Sequence, residues 1–266
     1  MSDTKIETNS KKNSVLYIII VLLLLRFPLL YLGSFNIIPE EISFVIYLCV
    51  TYLFTGLFIY QNKDILPIYN ITPIALIIFL LAPLAAIIAG NDNDPTLVVR
   101  LIMAALFLIF LLIRGKYKFK FSKVNIKKII IDVVLTALLC FIMPIVIHAI
   151  RGFPTIEASR MTFDIPYIWF FQLSLASVSE EPLFRGILWG FLRHKGIKEH
   201  WICIIQAVLF WVGHIYYFNT GINFWIIHPL LAILLGLIVW KTKSITYSMI
   251  LHSSVNTFTD YLRFTP

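Results

Sequence analysis

Two adjacent carboxylates and an arginine, Glu180, Glu181 and Arg185 in "VSEEPLFRG", lie between the apolar runs "IPYIWFFQLSLAS" and "ILWGFL". On a helix, Glu181 and Arg185 are four residues apart, share a face and can neutralise each other. Glu180 is turned about a third of a revolution from its neighbour and stands outside that pair. Farther along, "FWVGH" places His214 one turn after Phe210, and "LHSSVN" places His252 and Asn256 four apart on one face. Taken singly, each is readable as a polar side chain bridging packed membrane helices. Together, a glutamate, two histidines and an asparagine on three apolar helices hold the functional groups needed to activate water. Glu180 can take a proton from water, and His214 can hold that water or share its proton. His252 and Asn256 can donate hydrogen bonds to an oxyanion. Pro182 has no N–H, so the carbonyl of Val178 loses its usual partner and the helix is expected to kink or loosen beside Glu180.

The surroundings of these residues are those of a membrane protein. Of 266 residues, 59% are hydrophobic and 14% charged, with a mean hydropathy of +0.88. A soluble domain carries about 25% charged residues. The net charge of +8 does not call for nucleic acid, because the basic residues fall between apolar runs, where they orient the chain in a bilayer. Cys49, Cys140 and Cys203 lie within apolar segments at unrelated spacings and form neither a disulfide framework nor a thiolate metal site.

Windows long and apolar enough for membrane helices occur near 15–33, 42–60, 72–89, 97–113, 129–150, 166–191, 201–218, 224–240 and 244–260, the last being the most polar. The first reads as an uncleaved span, not a signal peptide, because its apolar character runs on past residue 25 without an A-x-A site. The runs are continuous and not alternating, so strands are not expected. The fold class is therefore all-α and polytopic, with about eight to nine transmembrane helices and a site among the last four. Residues 1–128 form an N-terminal set of helices without a motif, and 129–266 form the core that carries the chemistry.

Lys and Arg concentrate on one side of this arrangement: Lys5, Lys11 and Lys12, the link 114–128, Arg193 to Lys198, then Lys241 and Lys243. The alternate links are acidic or neutral, with Glu40, Glu41, Asp92, Asp94 and the "NTGIN" segment. A cytoplasmic N-terminus follows from that asymmetry, and the short, Ile- and Lys-rich chain without organelle signals reads as one of a bacterial cell membrane. The basic 114–128 link can also rest on anionic headgroups.

Other ionisable groups have simpler accounts. Arg26 and Arg100 lie near span ends and can snorkel. Asp132 lies close to Lys127 and Lys128, and a local ion pair suffices. His148 and His228 read as interfacial, and Pro229, marking a helix irregularity next to His228, keeps that histidine as a secondary site candidate. His194 and His200 fall in a loop.

The three motifs, in this order and each on an expected span, resemble those of the CPBP family, the intramembrane proteases of CAAX-prenyl and bacteriocin-processing type also called Abi proteins. "EEPLFRG" is similar to its EExxxR motif, "FWVGH" to FxxxH, and "SITYSMILHSSVN" to HxxxN/D. The resemblance covers roughly residues 160–260, and the first four spans match only as generic membrane helices. It implies a helical membrane endopeptidase whose cavity opens toward the cytoplasm. Glu180 and His214 would activate water, His252 and Asn256 would bind the oxyanion, and Glu181 and Arg185 would support the site. Zinc on Glu180, His214 and His252 and a metal-free glutamate mechanism are both open, since the chain lacks the H-E-x-x-H arrangement. The partners implied are a lipid bilayer and a membrane-associated peptide or protein, with bacterial peptide processing or bacteriocin self-immunity as the setting. A proton- or ion-coupled carrier and a non-catalytic immunity or binding protein on the same fold are the rival readings. The lack of duplicated halves disfavours the first, and the complete set of polar positions disfavours the second.

Overall fold

The computed structural model describes residues 3–89 and 164–264, together with the isolated positions Ile102 and Ala105. The windows near 97–113 and 129–150, the 114–128 link, Arg100, Asp132, Cys140, His148 and the boundary at residue 128 lie outside the described residues, as does the side chain of Arg26.

Every described element is helical. Helix α1 spans Asp3–Ser34, α2 Glu40–Gln61 and α3 Pro73–Ala89. A continuous helical stretch, α4, covers 164–194, followed by α5 over Glu199–Gly213, α6 over Asn223–Thr242 and α7 over Ile245–Phe264. Among the described residues three helical segments are long and apolar enough to cross a membrane, Leu16–Gly33, Ile42–Gln61 and Asn223–Thr242, and Glu199–Gly213 is a shorter apolar helix. These agree with three of the expected windows. Window 72–89 is a helix of 17 residues, α5 gives way to a 3-10 turn after Gly213, and α7 is the polar last window.

Apolar residues line both the interior and the perimeter, as expected of helices that are hydrophobic all round. Ile18, Val21, Leu53, Ile204, Val208 and Leu237 face outward, where lipid would cover them. Inside, Leu23, Phe27, Tyr47, Phe58, Phe184, Phe210 and Met249 form one buried cluster shared by α1, α2, α4, α5 and α7. Leu231, Leu235, Leu251 and Val255 form a second between α6 and α7.

Apolar burial gives little net drive between helices already in lipid, so small and polar residues hold them in register. Ser177 of α4 donates to the Met249 carbonyl at 2.7 Å and lies 2.6 Å from Ser253 Oγ, which brings α7 close against α4. Gly236 of α6 packs against Gln206 and Cys203 of α5 so closely that a Cβ there would overlap both side chains.

Helix α4 is not a uniform α-helix. Leu173–Ser177 and Pro182–Leu188 are π-helical turns flanking the short α segment Val178–Glu181. The loosening expected at Pro182 thus takes the form of widened turns on both sides of Glu180, with the backbone still in the α region at Pro182 itself.

At one end of the bundle the connections are knotted together by charge. Glu199 accepts from Trp189 Nε1 at 2.9 Å, from Arg193 and from Lys243 Nζ at 3.1 Å. Arg193 also donates to the Ile68 carbonyl and to Asn70 Oδ1, and the Asn70 carbonyl accepts from Ile245 N–H. Partial burial by itself would raise the Glu199 carboxyl, but the hydrogen bonds from Arg193, Trp189 and Lys243 outweigh it and hold it at about 2 against an ordinary 4.5. A carboxyl depressed on folding adds stability above its unfolded pKa, and that stability is lost as pH falls toward the folded value. The thermal midpoint of detergent-solubilised wild type should therefore exceed that of Glu199→Gln by a few degrees at pH 7. The gap should close between about pH 4.5 and 2, as followed by intrinsic fluorescence.

Candidate active site

The residues singled out by spacing converge. Glu181 and Arg185 form the expected ion pair, Nη1 to Oε1 at 3.1 Å, with both side chains fully buried. Arg185 also donates through Nη2 to the Ala232 carbonyl at 3.2 Å and lies over the Phe210 ring at 4.3 Å. One guanidinium thus ties α4 to α5 and α6. Glu180 faces a different way, onto a cavity of about 320 Å³ whose lining includes His214, His228, His252 and Asn256 but neither Glu181 nor Arg185.

Each histidine is fixed by the partner of its Nδ1. His214 Nδ1 lies 2.8 Å from the Phe210 carbonyl, which can only accept, so Nδ1 carries the hydrogen. His252 Nδ1 lies 2.9 Å from Glu181 Oε1, with the same consequence for its carboxylate partner. Both Nε2 atoms are then directed at Glu180, 3.6 Å and 3.9 Å from Oε2. In the neutral rings these are two acceptors opposite a third, at separations beyond an N–H···O hydrogen bond. Such an arrangement suits a donor with two hydrogens, which is what water offers.

Asn256, one turn after His252, donates Nδ2 to Gln172 Oε1 at 3.2 Å at the cavity wall. An amide nitrogen has two hydrogens, so the second is available to a bound molecule. His252 is held differently from the simple pairing with Asn256 on one face. Its ring bridges the two glutamates, and its Nε2 can donate only when the ring is protonated beside Glu181.

Other residues at the cavity were weakly signalled in the sequence or not at all. His228, read as interfacial and kept only as a secondary candidate, lies in the wall with its ring 5.1 Å from that of His214 and its Nδ1 2.7 Å from the Asn223 carbonyl. The Pro229 irregularity was its one available signal, since the turn before it is the π-helical Asn223–Ile227. Tyr47 of α2 reaches across 132 positions of sequence to Ser179 Oγ at 3.1 Å, next to Glu180. Phe27 of α1 packs on Phe184 and against His214. The N-terminal helices, featureless by motif, therefore form one wall of the site.

Two imidazoles and a carboxylate suit zinc by donor type. Among the described residues, however, no group of three His, Cys, Asp or Glu side chains is arranged to hold a metal ion, so no chemical step is routed through one here.

No curated protein and no solved structure matches the chain. A family model does: residues 162–258 match "Type II CAAX prenyl endopeptidase Rce1-like", a segment that runs from the start of α4 to the middle of α7 and contains Glu180, Glu181, Arg185, His214, His252 and Asn256. The EExxxR, FxxxH and HxxxN residues that meet at this cavity thus lie within the segment that is similar to the Rce1-like CAAX endopeptidase model, and the apolar helices around them are those of a membrane protein.

Proposed function

We propose that the protein is an intramembrane endopeptidase in which Glu180 activates water against a peptide bond, without a metal. The observation that carries this reading is the convergence of Glu180 Oε2 with the Nε2 atoms of His214 and His252 on a cavity inside apolar helices. Water held by Glu180 and His214 gives a proton to the Glu180 carboxylate as its oxygen bonds to the substrate carbonyl carbon. The developing oxyanion takes a hydrogen bond from the second N–H of Asn256, beside the His252 ring that Glu181 holds in place. As the C–N bond breaks, the proton on Glu180 passes to the departing amine. Glu181 and Arg185 stay behind the cavity wall and position His252.

The substrate class is a membrane-associated peptide or protein, in bacterial peptide processing or bacteriocin self-immunity. Expressing wild type and Glu180→Gln at equal level and comparing membrane-proximal host peptides by mass spectrometry tests the reading. Products present with wild type and absent with the variant are expected. An unchanged peptide profile would remove its support.

Chelation separates the metal-free mechanism from a zinc one. Purified protein treated with 1,10-phenanthroline and dialysed should keep its cleavage rate and hold less than stoichiometric zinc by elemental analysis. Loss of activity restored by added zinc would replace the mechanism above.

A further inference from the structure

An amide that serves an oxyanion must be turned the right way round. The torsion that turns the Asn256 carboxamide is broad and roughly two-fold, so an unheld amide presents Oδ1 to the cavity as readily as Nδ2. A lone pair on Oδ1 would then meet the developing negative charge. What holds the Asn256 amide is Gln172, whose Oε1 accepts from Asn256 Nδ2 at 3.2 Å. A carbonyl oxygen can only accept, so this bond keeps the nitrogen end of Asn256 in place and leaves its second hydrogen for a bound molecule.

The irregularity of α4 puts Gln172 there. Its side chain is 8% exposed and lines the same cavity as Glu180, although in an unbroken α-helix two residues eight apart face about 80° away from each other. Gln172 ends the α-helical segment Asp164–Gln172, and the π-helical turn Leu173–Ser177 stands between it and Glu180. A π turn takes in about one residue more than an α turn, which brings positions 172 and 180 to nearly one face. The first widened turn of α4 thus sets the partner of the oxyanion donor in line with the base.

The approach of α4 to α7 has other supports. Trp169 Nε1 donates to Ser254 Oγ at 3.0 Å on one side of Gln172. On the other, Ser177 donates to the Met249 carbonyl and lies 2.6 Å from Ser253 Oγ. With the helices pinned on both sides, what the Gln172 carbonyl adds is the orientation of Asn256.

We infer that Gln172 is a positioning residue for peptide cleavage: its side-chain carbonyl fixes the rotation of the Asn256 amide so that an N–H faces the oxyanion. That role rests on the endopeptidase reading, while the rotation of the amide does not.

The rotation is read by NMR of full-length protein in detergent, with isotope-labelled asparagine. The Asn256 side-chain signals are those that vanish in Asn256→Ala. In wild type one of its two amide hydrogens should be shifted downfield by the bond to Gln172. Gln172→Leu should remove that shift, and Gln172→Glu, which keeps an acceptor oxygen in either protonation state, should restore it. The role is read on a fluorogenic peptide carrying a cleavage site that appears with wild type. Gln172→Leu should lower kcat about fivefold at unchanged KM, the bias that one neutral hydrogen bond imposes on an orientation, and Gln172→Glu should recover it. In an Asn256→Ala background Gln172→Leu should cost nothing further, because the two residues act as a unit. A side chain that only supported the fold would cost the same in both backgrounds. No hydrogen-bonded shift in wild type, an undiminished kcat in Gln172→Leu, or losses that multiply with Asn256→Ala overturns the inference. Cleavage that survives Glu180→Gln would stand against the endopeptidase mechanism alone, because the NMR measurement needs no turnover.

Discussion

Replacing Glu180 by glutamine should lower kcat for peptide cleavage by about 10²–10⁴-fold, the range of a positioned general base, while KM stays within a few-fold. Glutamine has the shape of glutamate but no lone pair basic enough to take a proton from water. The side chain lies on the cavity wall, and Arg185 is bonded to the neighbouring Glu181 instead, so the substitution leaves the buried ion pair in place and the protein level unchanged. A loss confined to kcat marks an interaction made in the transition state. His214→Ala should behave alike, since Nε2 of His214 faces the same Glu180 oxygen at 3.6 Å. If both act on one water, the double variant is scarcely slower than either single one, because residues acting as a unit are not additive. Multiplying losses would mean two separate functions. His228→Ala should be mild, within about tenfold of wild type on this Brønsted scale, because its Nδ1 is committed to the Asn223 carbonyl and its ring meets that of His214. An equal loss at His228 would redraw the site around it.

The parts of this site that were legible in the sequence are those set by helical period. Glu181 and Arg185 pair because four residues return to the same face, and His252 with Asn256 reach one cavity for the same reason. The period says nothing about which neighbouring helix a face meets. His252 bonds to Glu181 across 71 positions, and that contact depends on the serine-lined approach of α7 to α4, visible only once the helices are packed. Tyr47 and Phe27 were invisible for a related reason: an aromatic residue in an apolar helix has many places to go.

The second large effect is on stability and concerns Arg185. With both side chains of the Glu181–Arg185 pair fully buried, truncation of one partner strands a charge in a low-dielectric interior. That costs about 3–5 kcal/mol, whereas removing both together can be close to neutral. Arg185→Leu should therefore unfold at much lower denaturant in detergent and accumulate poorly in membranes. Arg185→Lys should recover only part of the loss. An ammonium can meet Glu181, but it lacks the planar fork that also reaches the Ala232 carbonyl and lies against Phe210. The Glu181→Leu, Arg185→Leu double variant supplies the check. Its destabilisation should be well below the sum of the singles, because removing both charges leaves neither stranded, while its activity stays low because His252 has lost the carboxylate at its Nδ1. Additive losses would mean that the two residues stabilise the fold separately. Recovered activity in the refolded double variant would mean that His252 does not depend on Glu181 for its orientation.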